Sequence, residues 1–329
     1  MQVAFLSGEH PTFPQAELQA LCSTNGDKAK PLSPQLWSFG HPNTVRQMAG
    51  LHAHGTLVAT ARSPQALLHQ MQWKPKGTFA VRTDRIGSTK THSLSDLARV
   101  IGAHLTKQGH VVDLTDPDEE LWIWTEGPLI AAVCDVQENN RTRFEDRRVT
   151  TREHFSPVTL HPRRAASLVN LARVPGGGRI YDPFCGTGGL LLEAALMRYD
   201  TWGSDLDETM IQGSYQTLTD TPEGPLEATL FVADIGDTPE LVDRVEGIVA
   251  DLPYGQASTT DHEELGSLYR RAFEAFAKIL APGAIAVIGS PSMDLLEPVT
   301  EYGFTLREHH EEYAHKSLTR HYIVVKRDP

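Results

Sequence analysis

The feature that most constrains this chain is a short strand running directly into a glycine-rich turn and a helix: RIYDPFCGTGGLLLEAAL, residues 179–196. The apolar run ends at Asp182, the turn follows at Gly186, Thr187, Gly188 and Gly189, and a helical apolar pattern begins at Leu190. Glycines let the backbone approach a ligand closely, and a helix amino terminus presents unpaired N–H groups to negative charge. The same alternation continues downstream. Thr201–Asp205, Ala228–Ala233, Gly247–Asp251 and Ala284–Gly289 read as further strands, each followed by a helix, whereas Phe304–Glu312 and Thr319–Arg327 follow each other as an antiparallel hairpin. The expected class is α/β, with a parallel sheet covered on both faces.

The ends of these strands carry the chemistry. The glycine spacing is not G-x-G-x-x-G, and a carboxylate directly before the turn suits a cationic group better than a pyrophosphate. A ligand bearing both an amine and a carboxylate fits, and S-adenosylmethionine has both. Asp205 closes the second strand 23 residues after Asp182, the position from which this fold class grips ribose hydroxyls. Asp207 competes for that role, but a place at the start of the next helix suits it through the helix dipole. Asp234 in VADIGD repeats the arrangement at the third strand and can accept a hydrogen bond from an adenine amino group. Any one of these acids could be an ordinary turn residue. Three at successive strand ends, all on the edge where α/β proteins bind ligands, argue for a site.

The fourth strand ends in VADLPYGQAS, residues 249–258. Proline fixes the turn and removes a backbone donor, leaving a row of acceptors. Asp251 and the Leu252 carbonyl can then accept hydrogen bonds from a planar exocyclic NH2 group, while Tyr254 stacks on the base. Such acceptors aim a nitrogen lone pair at an electrophilic methyl and stabilise the positive charge that develops on nitrogen. The competing account is a strand-terminating turn with a surface tyrosine.

Charge and composition narrow the partners. The whole chain of 329 residues carries a formal net charge of −12, which by itself argues against nucleic acid. The distribution matters more: residues 1–140 hold 11 basic and 13 acidic side chains, residues 141–173 hold eight arginines against three acids, and residues 201–274 hold sixteen acids against three arginines. Arg141, Arg143, Arg147, Arg148 and Arg152 form a candidate phosphate-binding strip. The alternative for that strip is a solvated linker with local pairs to Glu145, Asp146 and Glu153. Three dispersed cysteines without a C-x-x-C pair argue against a disulfide framework or zinc knot, and no apolar run approaches the roughly 18 residues of a membrane span. With no basic, apolar leader at the amino terminus, a cytoplasmic protein is expected.

Ahead of the α/β region, the first 140 residues read as one or two small α+β units. Val3–Leu6, Gln35–Phe39, Thr78–Arg82, His110–Asp113, Leu121–Thr125 and Leu129–Val136 read as strands and Pro14–Leu21 as a helix. Ser63 with Pro64 starts a helix through Met71, and Ser95 caps a helix that Gly109 stops. Cys185 lies in the cofactor loop rather than the substrate loop, which speaks against a covalent cysteine mechanism. The histidine groups His52/His54 and His309/His310/His315 lack an H-E-x-x-H pattern or cysteine partners, so no metal site is expected.

Taken together, DPFCGTGGLLLEAAL, GSDLD, the VADI acid and DLPYG resemble the class I, Rossmann-like RNA methyltransferases that modify the guanine N2 amine, over residues 156–329. The opening LSGEHPTFPQAELQAL is similar to the ferredoxin-like plus THUMP arrangement that precedes such domains. The segment RTRFEDRRVTTREHFSPVTLHPRRAASLVNLARV and the carboxy-terminal HKSLTR (315–320) are similar to the archaeal-type tRNA guanosine N2-methyltransferases acting at position 10. The resemblance implies a seven-stranded, mostly parallel sheet in residues 156–329, a ferredoxin-like domain in 1–60, a THUMP domain in 61–138 and a basic linker in 139–155. It implies an S-adenosylmethionine-dependent enzyme whose THUMP unit grips the acceptor end of tRNA.

Residue by residue, the resemblance places Asp182, Phe184, Gly186, Thr187 and Gly188 around the methionine part of the cofactor. It places Asp205 on the ribose, Asp234 and Ile235 on the adenine, and Asp251, Pro253 and Tyr254 on a flipped guanine. It also favours the arginine strip as an RNA contact. Leu252 stands where many relatives have proline, but the acceptor carbonyl is kept. Methylation of another guanosine in tRNA or ribosomal RNA, amino-methylation of DNA, and a non-catalytic RNA-binding protein are the competing functions. One or two methyl groups, the oligomeric state and a small activating partner protein are left open.

Overall fold

The computed structural model describes residues 1–147, 160–255, 264–315 and 318–329, which fall into two compact units. The first unit consists of residues 1–22, 26–46 and 50–140, and the second of residues 23–25, 47–49 and 141–329. No described helix is long and apolar enough to cross a membrane.

The first unit contains β1 (Gln2–Leu6), α1 (Phe13–Thr24), β2 (Lys30–Pro31), β3 (Leu36–Phe39), β4 (Leu51–Ala61) and α2 (Pro64–Gln70), then β5 (Phe79–Ile86), α3 (Leu94–Lys107), β6 (Glu119–Glu126) and β7 (Leu129–Glu138). One seven-stranded sheet runs through it in the order β2-β3-β1-β4-β7-β6-β5. β5 and β6 are parallel and joined by α3; the other neighbours are antiparallel. Ser63 caps α2 as expected, its hydroxyl accepting the Ala66 N–H. Two local expectations need correction. Ser93, not Ser95, caps α3, with its Oγ accepting the Asp96 N–H. Residues 110–113 form a single bridge between Val112 and Phe79 rather than a strand. The central strand β4 has no sequence signal: most of its buried positions are Ala, Gly or His, so LHAHGTLVATA shows no clear apolar period of two.

The second unit holds α4 (Thr142–Asp146), α5 (Pro162–Leu171), β8 (Arg179–Asp182), α6 (Gly189–Leu196), β9 (Asp200–Asp205), α7 (Glu208–Thr219) and β10 (Thr229–Val232). It continues with α8 (Thr238–Leu241), β11 (Val245–Asp251), α9 (Leu265–Ile279), β12 (Leu280–Ser290), β13 (Phe304–His315) and β14 (Leu318–Arg327). Its sheet order is β10-β9-β8-β11-β12-β14-β13, with the first five strands parallel and β14 antiparallel to both neighbours. The seven-stranded, mostly parallel sheet is thus as expected. The helix expected after β12 is instead a 3-10 turn at Glu297–Tyr302.

Strands β11 and β12 are buried runs such as Ile248, Val249, Ala250 and Ala286, Val287, Ile288, as a sheet covered on both faces requires. Helix α9 repeats Leu268, Ala272, Phe273, Phe276 and Ile279 on one side and lays them in a large apolar cluster. The chain moves outward from β8 through β9 and β10, then returns to the far side of β8 as β11. That reversal opens a crevice at the carboxyl ends of β8 and β11, where Asp182 and Asp251 stand.

Candidate active site

The turn between β8 and α6 has the shape of a cradle. Gly186 (φ 51°) and Gly188 (φ 79°) are left-handed, a conformation that side-chain-bearing residues adopt at a cost. A Cβ on Gly188 would stand 2.9 Å from Ser214 Oγ, whereas one on Gly186 would stand in open space. The open side of the turn therefore lies at Gly186. Ser214 fixes the turn from α7 by donating to the Gly186 carbonyl at 2.7 Å. Thr187 is buried within the turn and Phe184 half-buried beside it.

Two carboxylates meet at this cradle. Asp182 is 1% exposed and accepts the Phe184 N–H at 3.1 Å. Burial pushes its pKa well above the carboxylate range, and the charges of Asp205 and Asp251 add to the rise. Among the described residues, no basic side chain pairs with Asp182. Asp205 accepts the Gly186 N–H at 2.9 Å and the Asp207 N–H at 3.0 Å, so it ties the end of β9 to the turn; burial raises its pKa as well. Asp207 caps α7, accepting the Thr209 N–H and hydroxyl. A buried, like-charged group with an open cradle is unfavourable alone and fits a cationic ligand. An ammonium and a sulfonium, as in S-adenosylmethionine, would satisfy it. Asp234 accepts the Gly236 N–H at 2.8 Å and is ion-paired with Arg271, while Ile235 is buried beside it.

Asp251 ends β11 with its carboxyl enclosed. Burial raises its pKa to about 6, opposed by the nearby Arg320 charge and by a hydrogen bond from Tyr254. The Tyr254 hydroxyl donates to Asp251 Oδ1 at 2.8 Å, so this ring is folded onto the acid. Pro253 presents its carbonyl to the Tyr269 hydroxyl at 3.1 Å, and the Leu252 N–H donates to Gly289 at 3.0 Å. Gly289 is required for this packing: a Cβ there would stand 2.4 Å from Asp251 Oδ1 and 3.0 Å from the Tyr322 ring.

Several neighbours escaped the reading by motif because they lie far away in sequence. Arg320 on β14 sits 5.8 Å from the centre of the Tyr254 ring. Glu312 on β13 accepts from Arg164 Nη2 and Nε, at 2.6 and 3.0 Å, and lies 3.5 Å from the Tyr322 hydroxyl. The signal that could have found them is alternation: Glu312, Arg320 and Tyr322 fall on one face of the terminal hairpin.

The arginine strip is not uniform. Arg147 is 8% exposed and makes two 2.9 Å hydrogen bonds to the buried Glu193 of α6, which removes it from the set of RNA contacts. Arg143 lies over the Phe144 ring at 4.7 Å and reaches the Met48 carbonyl; Arg141 precedes α4. Arg148 and Arg152 lie outside the described residues. Burial holds the Cys185 thiol well above its ordinary range, in the protonated form, in keeping with a packing role. His54 is buried in the first unit, with its pKa lowered by desolvation.

Residues 149–322 match the family described as RMKL-like, methyltransferase domain, and residues 65–124 match the THUMP domain. The chain is similar to the tRNA (guanine(10)-N2)-dimethyltransferase of Pyrococcus abyssi, with 29% identity over 96% of each chain. It is 30% identical to the protein of the same name from Methanocaldococcus jannaschii, over 76% of this chain and 71% of that one. Among solved structures, TrmN from Thermus thermophilus shares the fold, with a TM-score of 0.53 and 20% identity over 99% of each chain. A family match over more than half the chain, with a THUMP domain ahead of it, means that the chain belongs to the RMKL-like methyltransferase family.

Proposed function

We propose that this protein is an S-adenosylmethionine-dependent tRNA methyltransferase that modifies the N2 amine of guanosine at position 10. The observation that carries the reading is Asp251: an enclosed carboxylate with a pKa near 6, at the switch point of the sheet, beside Pro253 and Tyr254. The relatives named above support tRNA as the substrate, position 10 as the target and two methyl groups as the outcome.

The cofactor supplies an electrophilic methyl group. In our reading Asp182, Phe184, Gly186, Thr187 and Gly188 hold its methionine end, Asp205 its ribose, and Asp234 with Ile235 its adenine. Asp251 and the Leu252 carbonyl accept the two N–H bonds of the guanine amine, which orients the nitrogen lone pair. The Tyr254 hydroxyl gives up its bond to Asp251 so that the amine can take the oxygen, and its ring covers the flipped base. Once nitrogen is methylated, Asp251 takes the surplus proton, a task for which a pKa near 6 is well placed. Residues 1–60 as a ferredoxin-like part, 61–138 as a THUMP part that grips tRNA and 139–155 as a linker complete the assignment, with Arg141 and Arg143 on the RNA side.

The test is incubation with labelled S-adenosylmethionine and unmodified tRNA transcripts, followed by nucleoside mass spectrometry. N2-methylated guanosine that disappears when guanosine 10 is replaced supports the reading, and the mono- to dimethyl ratio gives the methyl count. Methylation confined to another guanosine overturns the target, and a protein that binds cofactor yet methylates no tRNA overturns the substrate.

A further inference from the structure

The terminal hairpin has two faces. The face bearing Glu312, Arg320 and Tyr322 belongs to the surroundings of Asp251; the opposite face carries His309 and Glu311 on β13 and His321 on β14. Glu311 and His321 are direct cross-strand partners, and His309 is two positions along from Glu311. Three ligating atoms meet there: His309 Nε2 and His321 Nδ1 are 3.1 Å apart, and Glu311 Oε1 stands 3.9 Å from the first and 3.7 Å from the second.

The spacing discriminates between two uses of such a trio. The carboxylate distances are too long for hydrogen bonds to either imidazole nitrogen. They suit a shared ion: separations of 3.1, 3.7 and 3.9 Å bracket the edge of about 3.4 Å that a tetrahedral ion with bonds of about 2.1 Å sets between its ligands. The triangle is acute, so its centre lies between the three side chains. His309 and Glu311 are exposed and His321 half-buried, which gives an ion access and leaves a coordination position to water.

We propose that His309, Glu311 and His321 bind one divalent transition-metal ion of the zinc type, clamping β13 to β14. The donor set of two imidazoles and one carboxylate is that of a three-ligand zinc site, and it disfavours calcium or magnesium, which take oxygen ligands. The clamp lies on the same hairpin that presents Arg320 to Tyr254, but it uses the opposite side chains, so the proposal does not depend on the catalytic reading.

The test uses the untagged full-length protein, stripped with chelator, dialysed and titrated with zinc chloride by calorimetry, with cobalt(II) as a visible-absorption probe. One equivalent of zinc is expected, together with the absorption bands of tetrahedral cobalt. His321→Ala and Glu311→Gln should each weaken zinc binding by more than about a hundredfold, beyond what the loss of a supporting residue around a metal ligand costs. Circular dichroism and thermal unfolding of the metal-free variants check that their folds match the parent. No stoichiometric binding, or binding undiminished in both folded variants, overturns the site and leaves the histidines as a hydrogen-bonded pair.

Discussion

At the scale of single residues, Asp251 sets activity against stability. Its carboxyl has a pKa near 6 in the folded chain, above the ordinary value near 3.8. A raised pKa means that folding favours the protonated form. That contribution is complete at pH values below the unfolded range and is lost as pH rises through 6. At pH 8 the fold carries an enclosed, ionised carboxylate at a cost on the order of 3 kcal/mol. Asp251→Asn should therefore raise stability towards urea at pH 8, with little change at pH 4, while lowering methyl transfer by about a hundredfold or more. Equal stability changes at the two pH values would mean that ionisation is not the source. In the parent, turnover should rise with pH through about 6 as the accepting form appears. Asp205 is expected to behave differently, because its oxygens hold the Gly186 and Asp207 amides at the mouth of the cradle. Asp205→Ala should chiefly weaken cofactor binding, read by calorimetry, with a smaller fall in the rate at saturating cofactor.

At the scale of elements, the sequence revealed what is local and concealed what is made by pairing. The β8 turn, the cap at Ser63 and the acids at successive strand ends were legible, because glycine conformation, capping and strand termination are written in adjacent residues. β4 was not, since most of its buried positions are Ala, Gly or His, which do not stand out as apolar in the sequence. Nor was the packing around Asp251, which needs Gly289, Arg320 and Tyr322 from strands 38 to 71 residues away. Arg147 shows the same limit in reverse. In sequence it is one of five arginines; in the fold it joins α4 to α6 through a bidentate bond to Glu193. Arg147→Ala should lower stability by about 3–5 kcal/mol, because Glu193 would keep a buried charge without its partner. Arg147→Met combined with Glu193→Leu should recover most of that loss in denaturant unfolding. If both variants lose the same amount, packing over Phe144 rather than charge holds the helices together.

At the scale of the whole molecule, the catalytic unit is not contiguous in sequence. Residues 47–49 belong to it: Gln47 donates to the Met197 carbonyl at 3.1 Å, its own carbonyl accepts Asn170 Nδ2 at 3.1 Å, and Ala49 closes an apolar cluster with Phe144 and Ala166. A cut before Arg141 removes these partners and leaves the buried Asn170 amide with one bond fewer, a loss of about 1–3 kcal/mol. The fragment also keeps most of the negative charge: residues 141–329 carry a formal −10, against −2 for residues 1–140. An acidic body of that size repels a polyanion except where basic side chains cluster. Fragment 141–329 should consequently melt below the full chain, bind S-adenosylmethionine through the cradle at Asp182 and Gly186, and methylate tRNA poorly even at low salt. Calorimetry, thermal unfolding and the transcript assay read the three quantities separately. Full tRNA activity in the fragment would mean that the first unit does not position the RNA. Lost cofactor binding in a folded fragment would mean that residues 47–49 support the cradle itself.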